Sequence, residues 1–537
     1  RISRRRSTHR RRGHHHLDNR TTSHRRPRLR QSQLQPQLRQ HRARATDHRH
    51  HARTHHISRA GGPVMSNSYD DVMARRSDIM RRALALDYDS FQHGDLIFDY
   101  DALMSSTGYS LDDVARIQAE TKVGDTPLYE LHRLTEAVRE IAGPGKGARI
   151  LLKDEAANAS GSFKARRASL SAHEAQAKGF AGMVTATSGN YGAGVASQAA
   201  QRGLACIVIQ EIYDSQHVGQ PEIVEKSRAC EAYGAEVIKL TVGPELFYVL
   251  LRTLEDTGYF NASLYTPYGI AGIETLGAEI GREVQQRYGR QPDAVVVTHA
   301  GGGNITGTTR GLRKMGCDQT QVIAVSVDLT GLHMASDHDF NNKSFTTGHT
   351  GFGVPFATWP DRVDVPRNAA RPLRYMDGYQ LVSQGEVFYM TELLTKIEGL
   401  ERGPAGNTSL TAAVAMARQM DRDQIVVVQE TEYTGAGKHH NSQLSFARSR
   451  GIEVRRGDPA GNVPGKAIVI PERLDQVSVH PLDLDKLRHS YLRHASQIVA
   501  PEQWGDAELE FLAAETNTTT DDVRLIGTEL VTRTKGA

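Results

Sequence analysis

The chain has 537 residues, with 66 lysines and arginines against 62 acids and 38% hydrophobic residues, enough for a large core spread over more than one domain. The charge is unevenly placed: residues 1–64 hold 18 arginines and only Asp18 and Asp47 as acids, a net +16, so the remainder, with 48 basic and 60 acidic residues, stands at −12. No apolar run approaches the ~20 residues of a membrane helix, and Cys206, Cys230 and Cys317 are too widely spaced for a disulfide framework or a metal signature, which leaves a soluble protein with free thiols, expected in a reducing cytoplasm.

Residues 1–64 lack periodicity and large apolar side chains, so a disordered basic tail is expected there. Such an arm can bind nucleic acid or an anionic membrane. It is also Arg-rich and acid-poor like an organelle transit peptide, but has no apolar helical face. Met65-Ser66-Asn67 stands directly before the first patterned segment, and the expectation is that the natural start is Met65 and that 1–64 is upstream sequence.

Residues 69–86 read as an amphipathic helix, with Val72, Met73, Ile79, Met80, Ala83 and Leu84 on one face and Arg75, Arg76, Arg81 and Arg82 largely on the other. Ser110-Leu111-Asp112-Asp113-Val114 reads as a serine-capped helix start with acids in its first turn. These elements make 65–122 an N-terminal helical extension, ended by the turn Val123-Gly124-Asp125-Thr126-Pro127-Leu128. Beyond it, short apolar β-branched runs at 149–152, 183–186, 204–209, 236–240, 294–298, 322–327 and 425–429 alternate with helical segments. Continuous apolar runs suit strands buried on both faces, so the fold class is α/β, doubly wound on parallel sheet, with ligands held beyond the strand carboxyl ends. After about 470 the pattern returns to helices, at 482–495 and 508–514, in a C-terminal tail over 471–537. Residues 512–526 echo 103–117 in spacing, either as a repeated packing element or by chance.

Three polar stretches follow strand ends. Ser160-Gly161-Ser162-Phe163-Lys164 lies between a strand and a helix opening Ala165-Arg166-Arg167. It would present one lysine amine whose pKa burial, the two arginines and the helix N-terminus can lower, making it a nucleophile. Thr187-Ser188-Gly189-Asn190-Tyr191-Gly192 can offer backbone N–H groups and an amide to a carboxylate or phosphate; an ordinary strand-to-helix turn is the competing reading. Gly301-Gly302-Gly303-Asn304-Ile305-Thr306-Gly307 lets backbone approach an anion closely, yet matches neither the Walker loop nor the dinucleotide pattern, so one phosphate monoester is its simplest ligand. A reactive lysine, a phosphate cradle and a carboxylate-binding turn are together what pyridoxal phosphate with an amino acid requires.

These three motifs, with Gly124-Asp125-Thr126-Pro127-Leu128 as an entry motif, resemble the fold-type-II pyridoxal phosphate enzymes, which include tryptophan synthase beta subunits, threonine synthases and cysteine synthases. Within that group the chain is most similar to the beta subunits of 2-amino-4-oxopentanoate thiolases, over roughly 65–495 and most densely in 153–168, 220–236, 243–279 and 344–374. The resemblance implies two doubly wound domains: a large one for the cofactor, from 123–172 and 287–470, and a small one for substrate, 173–286. It implies that Lys164 carries pyridoxal 5'-phosphate, that Asn190 bonds the ring oxygen, and that Gly301, Gly302, Gly303 and Asn304 hold the phosphate. Thr187, Ser188 and Gly189 would meet the substrate carboxylate, and Thr431, with Glu430 as competitor, the ring nitrogen. The implied reaction is cleavage of 2-amino-4-oxopentanoate by coenzyme A to alanine and acetyl-CoA, in ornithine degradation. It needs an amine to shuttle the α-proton, donors for the C4 oxyanion and a base for the thiol. His299, His333 and His349 are candidates for that base, although a structural role is the more usual one for each. A small alpha subunit and a homodimer of beta chains are the implied partners. Relatives with an Asp-Arg pair after the lysine differ from Ala165-Arg166 here, against threonine or cysteine synthase activity proper. The rival readings are another lyase or synthase acting at Cβ, such as a diaminopropionate ammonia-lyase, and a non-catalytic binding protein using the basic tail.

Overall fold

The computed structural model describes residues 67–187, 189–213, 217–241, 243, 245–263, 265–329, 367–433 and 440–535. Two sheets organise them. The strands that matter here are β1 (Leu128–Glu130), β2 (Arg149–Asp154), β3 (Gly182–Thr187), β4 (Ala205–Tyr213), β5 (Glu236–Thr241), β6 (Phe260–Asn261), β7 (Ala294–Thr298), β8 (Gln321–Val327), β9 (Gly378–Val382), β10 (Ile425–Glu430) and β11 (His480–Pro481). Seven form one sheet in the order β11-β9-β8-β7-β10-β2-β1, its five inner strands parallel and its two edges antiparallel. Four form a second sheet, β5-β4-β3-β6, parallel throughout.

All seven runs expected to be strands are strands; six are largely buried and apolar, while β5, at an edge of the second sheet, exposes Glu236 and Lys239. In β7, Val295 and Val297 enter one core while Ala294 and Val296 enter another on the far side, as a sheet covered by helices on both faces demands. In these two sheets the unexpected strands are short edges (β1, β6, β11) or, in β9, a run carrying Gly378 and Gln380; two small two-stranded sheets, Gln92–His93 with Ile97–Phe98 and Glu453–Arg456 with Ala467–Ile470, were not expected either. The helices around the site are α1 (Lys164–Ala177), α2 (Asn190–Arg202), α3 (Pro221–Ala232), α4 (Pro267–Tyr288), α5 (Gly303–Lys314) and α6 (Pro404–Ala417). Each of α1, α2 and α5 starts beyond the carboxyl end of a strand.

The N-terminal extension departs from the sequence pattern at one point. The single helix expected over 69–86 is two, Tyr69–Ala74 and Arg76–Leu84, broken at Arg75, where φ is −99° and ψ 16°. At the break Arg75 forks onto Glu255 with two bonds of 2.8 Å. Ser110 caps Leu111–Glu120 as expected, in a reciprocal pair with Asp113. The C-terminal tail holds Leu484–Ile498, Asp506–Thr516 and a further helix, Thr520–Lys535. It is tied to the body by the buried Glu515, which accepts bonds from Arg371, Arg374 and Tyr491. The echoed segments share a form: in each a helix turns into a second one whose cap residue, Ser110 or Thr519, exchanges bonds with an aspartate, Asp113 or Asp522. No described helix is long and apolar enough to cross a membrane.

Candidate active site

The first turn of α1 is where the three motifs meet. Gly161 takes φ +72°, a left-handed conformation costly for other residues, and a Cβ there would lie 2.5 Å from the Tyr433 carbonyl oxygen. That space lets the lysine loop pair with the chain after β10: Tyr433 N donates to Gly161 O at 3.0 Å and Phe163 N to Thr431 O at 3.1 Å. Lys164 then opens α1, and Gly194 of α2 packs on it, a Cβ there falling 3.2 Å from the Lys164 carbonyl. On the other side, Arg167 presses its guanidinium into the place a Gly303 side chain would fill at the start of α5.

The Lys164 side chain is 24% exposed, its ammonium 3.7 Å from Glu432 Oε2 and 4.8 Å from the centre of the Phe163 ring. Burial pulls its pKa down to about 8, with Glu432 opposing and the positive charges of Lys226 and Arg167 assisting. The sequence suggested both arginines as the source of this shift. Arg166 instead turns away and is fully buried between Glu155 and Glu279.

That turned-away cluster is complete in its bonds. Arg166 donates to Glu155 at 2.7 and 2.8 Å and to Glu279 at 2.8 and 2.7 Å. Lys153 adds 2.9 Å to Glu279 and 2.7 Å to Glu283. Burial pushes the Glu279 carboxyl up, but Arg166 and Lys153 overrule it and hold it well below the usual carboxylate range. The Gly124–Leu128 turn hangs on the same cluster, Asp125 N donating to Glu279 at 2.9 Å and Thr126 Oγ1 to Glu155 at 2.6 Å. This entry motif therefore fixes the back of α1.

On the cleft side, polar groups are buried without such closure. Gly302 caps α5 in the left-handed region at φ +79°, with no side-chain bond to the first N–H groups. Asn304 Nδ2 and Ser162 Oγ are buried with no hydrogen-bond partner among the described residues. Tyr265 closes the loop from the side, its hydroxyl 2.5 Å from where a Gly301 Cβ would be. At the second motif, Gly189 N donates to Thr187 Oγ1 at 3.0 Å, and Asn190 is buried as the first residue of α2. Ser188, His333, His349 and the 344–353 stretch lie outside the described residues.

His299 follows β7 directly. It is buried, lies edge-on to Tyr379 with ring centres 5.3 Å apart, and has neither ring nitrogen bonded among the described residues. Burial lowers its pKa to about 4, so the ring is neutral at pH 7 and a weak base. Thr431 is buried beside the lysine loop, its backbone carbonyl accepting from Phe163 N. Glu430, one residue earlier, is fully buried, with neither carboxyl oxygen bonded there.

Sequence reasoning missed Lys226. It sits on α3, 4% exposed, paired at 2.5 Å with Glu222. Its Nζ is 3.3 Å from the position of a Gly189 Cβ, so it stands on the second motif. Gln443 also donates to Glu222, at 3.3 Å. The only signal was a Glu–Lys spacing of four on one helix, which usually marks a solvated face.

The family profile described as pyridoxal-phosphate dependent enzyme matches residues 119–431. A 2-amino-4-ketopentanoate thiolase beta subunit from an unidentified prokaryote is 60% identical over 466 residues, 87% of this chain and 99% of that protein. Another of the same name from Acetoanaerobium sticklandii is 58% identical over 457 residues, 85% of this chain and 97% of that protein. A probable cysteine synthase from Bacillus subtilis is 28% identical over 57% of this chain and 90% of its own length. An aligned span of 466 residues is longer than 65–495, so the likeness runs beyond the stretch read from the sequence. The chain belongs to the pyridoxal-phosphate dependent enzyme family, among the 2-amino-4-ketopentanoate thiolase beta subunits.

Proposed function

We propose that this chain is the beta subunit of a thiolase that uses coenzyme A to split 2-amino-4-ketopentanoate, the compound also called 2-amino-4-oxopentanoate, into alanine and acetyl-CoA in ornithine degradation. Its cofactor is pyridoxal 5'-phosphate and its companion a small alpha subunit. The observation that carries this reading is 60% identity across 99% of a protein of that name. The site fits the cofactor on its own evidence. A buried amine of lowered pKa stands beside a glycine cradle whose Asn304 amide still has a hydrogen to donate.

The bound cofactor supplies an electron sink next to the substrate's α-carbon. The chain supplies position and proton transfer. Lys164 would hold the cofactor and move the α-proton through its Nζ; a pKa lowered to about 8 raises the share of neutral amine at pH 7. Asn190 serves the ring oxygen, and Gly301, Gly302, Gly303 and Asn304 the phosphate. Thr187, Ser188 and Gly189 serve the substrate carboxylate, at the uncapped start of α2. Thr431 is assigned to the ring nitrogen, with the adjacent carboxyl of Glu430 as its rival. His299 is the described candidate for the thiol base, and its low pKa makes it a weak one. The large sheet's segments, 123–172 and 287–470, form the cofactor half and 173–286 the substrate half. Two beta chains pair as a homodimer, and the enzyme works in the cytoplasm, where its three buried cysteines stay reduced.

The test starts from the purified chain with pyridoxal phosphate added. Visible absorbance that borohydride abolishes, leaving the cofactor's mass on the peptide containing Lys164, is expected in wild type and absent in Lys164→Ala. Coenzyme A-dependent release of alanine from 2-amino-4-ketopentanoate, with the alpha subunit present, completes it. Cofactor bound on Lys164 without thiolysis under those conditions would leave the family assignment intact and sink the substrate assignment.

A further inference from the structure

The phosphate cradle is built from glycines, an asparagine amide and the start of a helix, all neutral groups. A phosphate monoester carries close to two negative charges at pH 7. Among the described residues, one guanidinium lies against this loop. Arg167, 4% exposed, extends from α1 so that a Cβ on Gly303 would fall inside its Nη2 and lie 2.8 Å from its Cζ. Gly303 is the first residue of α5. In a helix the Cα–Cβ bond leans toward the N-terminus, so a group occupying the Cβ position of the first residue sits at the positive end, beside the free N–H groups. A cation in that place is repelled by the helix dipole, and burial alone already lowers the Arg167 pKa to about 10. Both penalties turn into attraction once a dianion rests on the same N–H groups. A second observation points to the same ligand: the Asn304 amide, also in the first turn of α5, is 6% exposed with its Nδ2 lacking an acceptor among the described residues.

We propose that Arg167 is a cofactor-binding residue, its guanidinium neutralising the pyridoxal phosphate monoester from beneath the Gly301–Asn304 loop. Gly303 is then required to be glycine because the guanidinium passes through its side-chain space. The two adjacent arginines divide their work: Arg166 anchors α1 from behind and Arg167 charges the cradle in front. This rests on the cofactor assigned above.

The experiment compares pyridoxal phosphate with pyridoxal, which lacks only the phosphate. The full-length chain, cleared of cofactor, is titrated with each by absorbance for wild type, Arg167→Met and Arg167→Lys. Arg167→Met is expected to weaken pyridoxal phosphate by about tenfold or more, the scale of one charge-assisted bond, and to leave pyridoxal unchanged. Arg167→Lys, which keeps the charge but not the fork, is expected to fall between and covers the case in which the methionine variant does not fold. Equal weakening of both ligands would mean a packing role and overturns the proposal. So does an unchanged preference for pyridoxal phosphate in the folded variants. Wild type that binds neither ligand overturns the cofactor reading itself, and this inference with it.

Discussion

Two groups of buried polar residues flank the first turn of α1, and they are built on opposite rules. Behind it, Arg166, Glu155, Glu279 and Lys153 bury two cations and two carboxylates that bond to one another, with Glu283 and Thr126 completing the set. In front, Ser162, Asn304, His299 and Glu430 are buried with polar atoms that nothing described satisfies. A buried polar group costs free energy unless it is bonded, so the first set can hold the fold together while the second leaves donors and acceptors open to a ligand or to water. The contrast separates structure from chemistry within a few ångströms, and between two adjacent arginines.

The comparison predicts that variants of the two sides fail differently. Lys164→Ala should lower thiolysis by on the order of 10²–10⁴-fold from lost proton transfer alone, with no loss of melting temperature, since the ammonium removed is partly exposed and sits 3.7 Å from one carboxylate. A clear drop in melting temperature would show that Lys164 supports the fold, and the contrast would be wrong. Arg166→Met should do the reverse. Removing Arg166 leaves the buried Glu155 carboxylate without a cation, while Glu279 keeps Lys153, a cost of about 3–5 kcal/mol, read by denaturant unfolding. Protein that remains folded should still take up the cofactor on Lys164.

Much of this was legible in the sequence, and what was not has a physical cause. Six of the seven main strands announce themselves because a strand buried on both faces must be apolar throughout; β5, at a sheet edge, shows only Val237, Ile238 and Leu240 among Glu236, Lys239 and Thr241. The edge strands β1, β6 and β11 are too short to carry a period. The three motifs are local, each a strand end, a turn and a helix start, so their residues are readable without knowing the fold. Arg166 and Arg167 look alike in the sequence, and only their directions off the helix, one toward Glu279 and one toward Gly303, tell them apart. Lys226 is more than thirty residues from either neighbouring motif. Its pairing with Glu222 has the spacing of an ordinary surface ion pair, and burial against Gly189 is what makes it part of the site.

Lys226 therefore sharpens the comparison, because it is a satisfied ion pair on the unsatisfied side. Its charge lowers the Lys164 pKa, and its partner Glu222 raises it. Lys226→Met removes the first effect and frees the second, so the midpoint for cofactor attachment to the neutral amine should move up from about 8. Adding Glu222→Gln should bring it part of the way back. The pH dependence of the attachment rate, followed by visible absorbance in cofactor-free protein, measures both. A midpoint unmoved in both variants would place Lys226 outside the electrostatic reach of Lys164.

At Glu430 the expected effect is small at acid pH and grows with pH; the side chain is buried at the end of β10 with both oxygens unbonded among the described residues. Burial, with Asp154 and Glu432 nearby, raises its pKa well above the usual carboxylate range despite Arg402, which favours the neutral acid in the native protein. The unfolded chain ionises it near pH 4.3. A raised native pKa contributes stability that is complete below that pH and is lost as pH rises toward the native value, because only the unfolded state gains by releasing the proton. Glu430→Gln keeps the shape and neutrality but has no proton to lose. At pH 4 the variant should match wild type within about 0.5 kcal/mol, the scale of a benign substitution. From pH 5 to 7 it should become progressively the more stable of the two in denaturant unfolding. A variant equally offset from wild type at pH 4 and pH 7 would mean that the carboxyl is ionised in the native protein. A cation or donor must then meet it, and Glu430 would join the satisfied set behind α1 instead of the site in front.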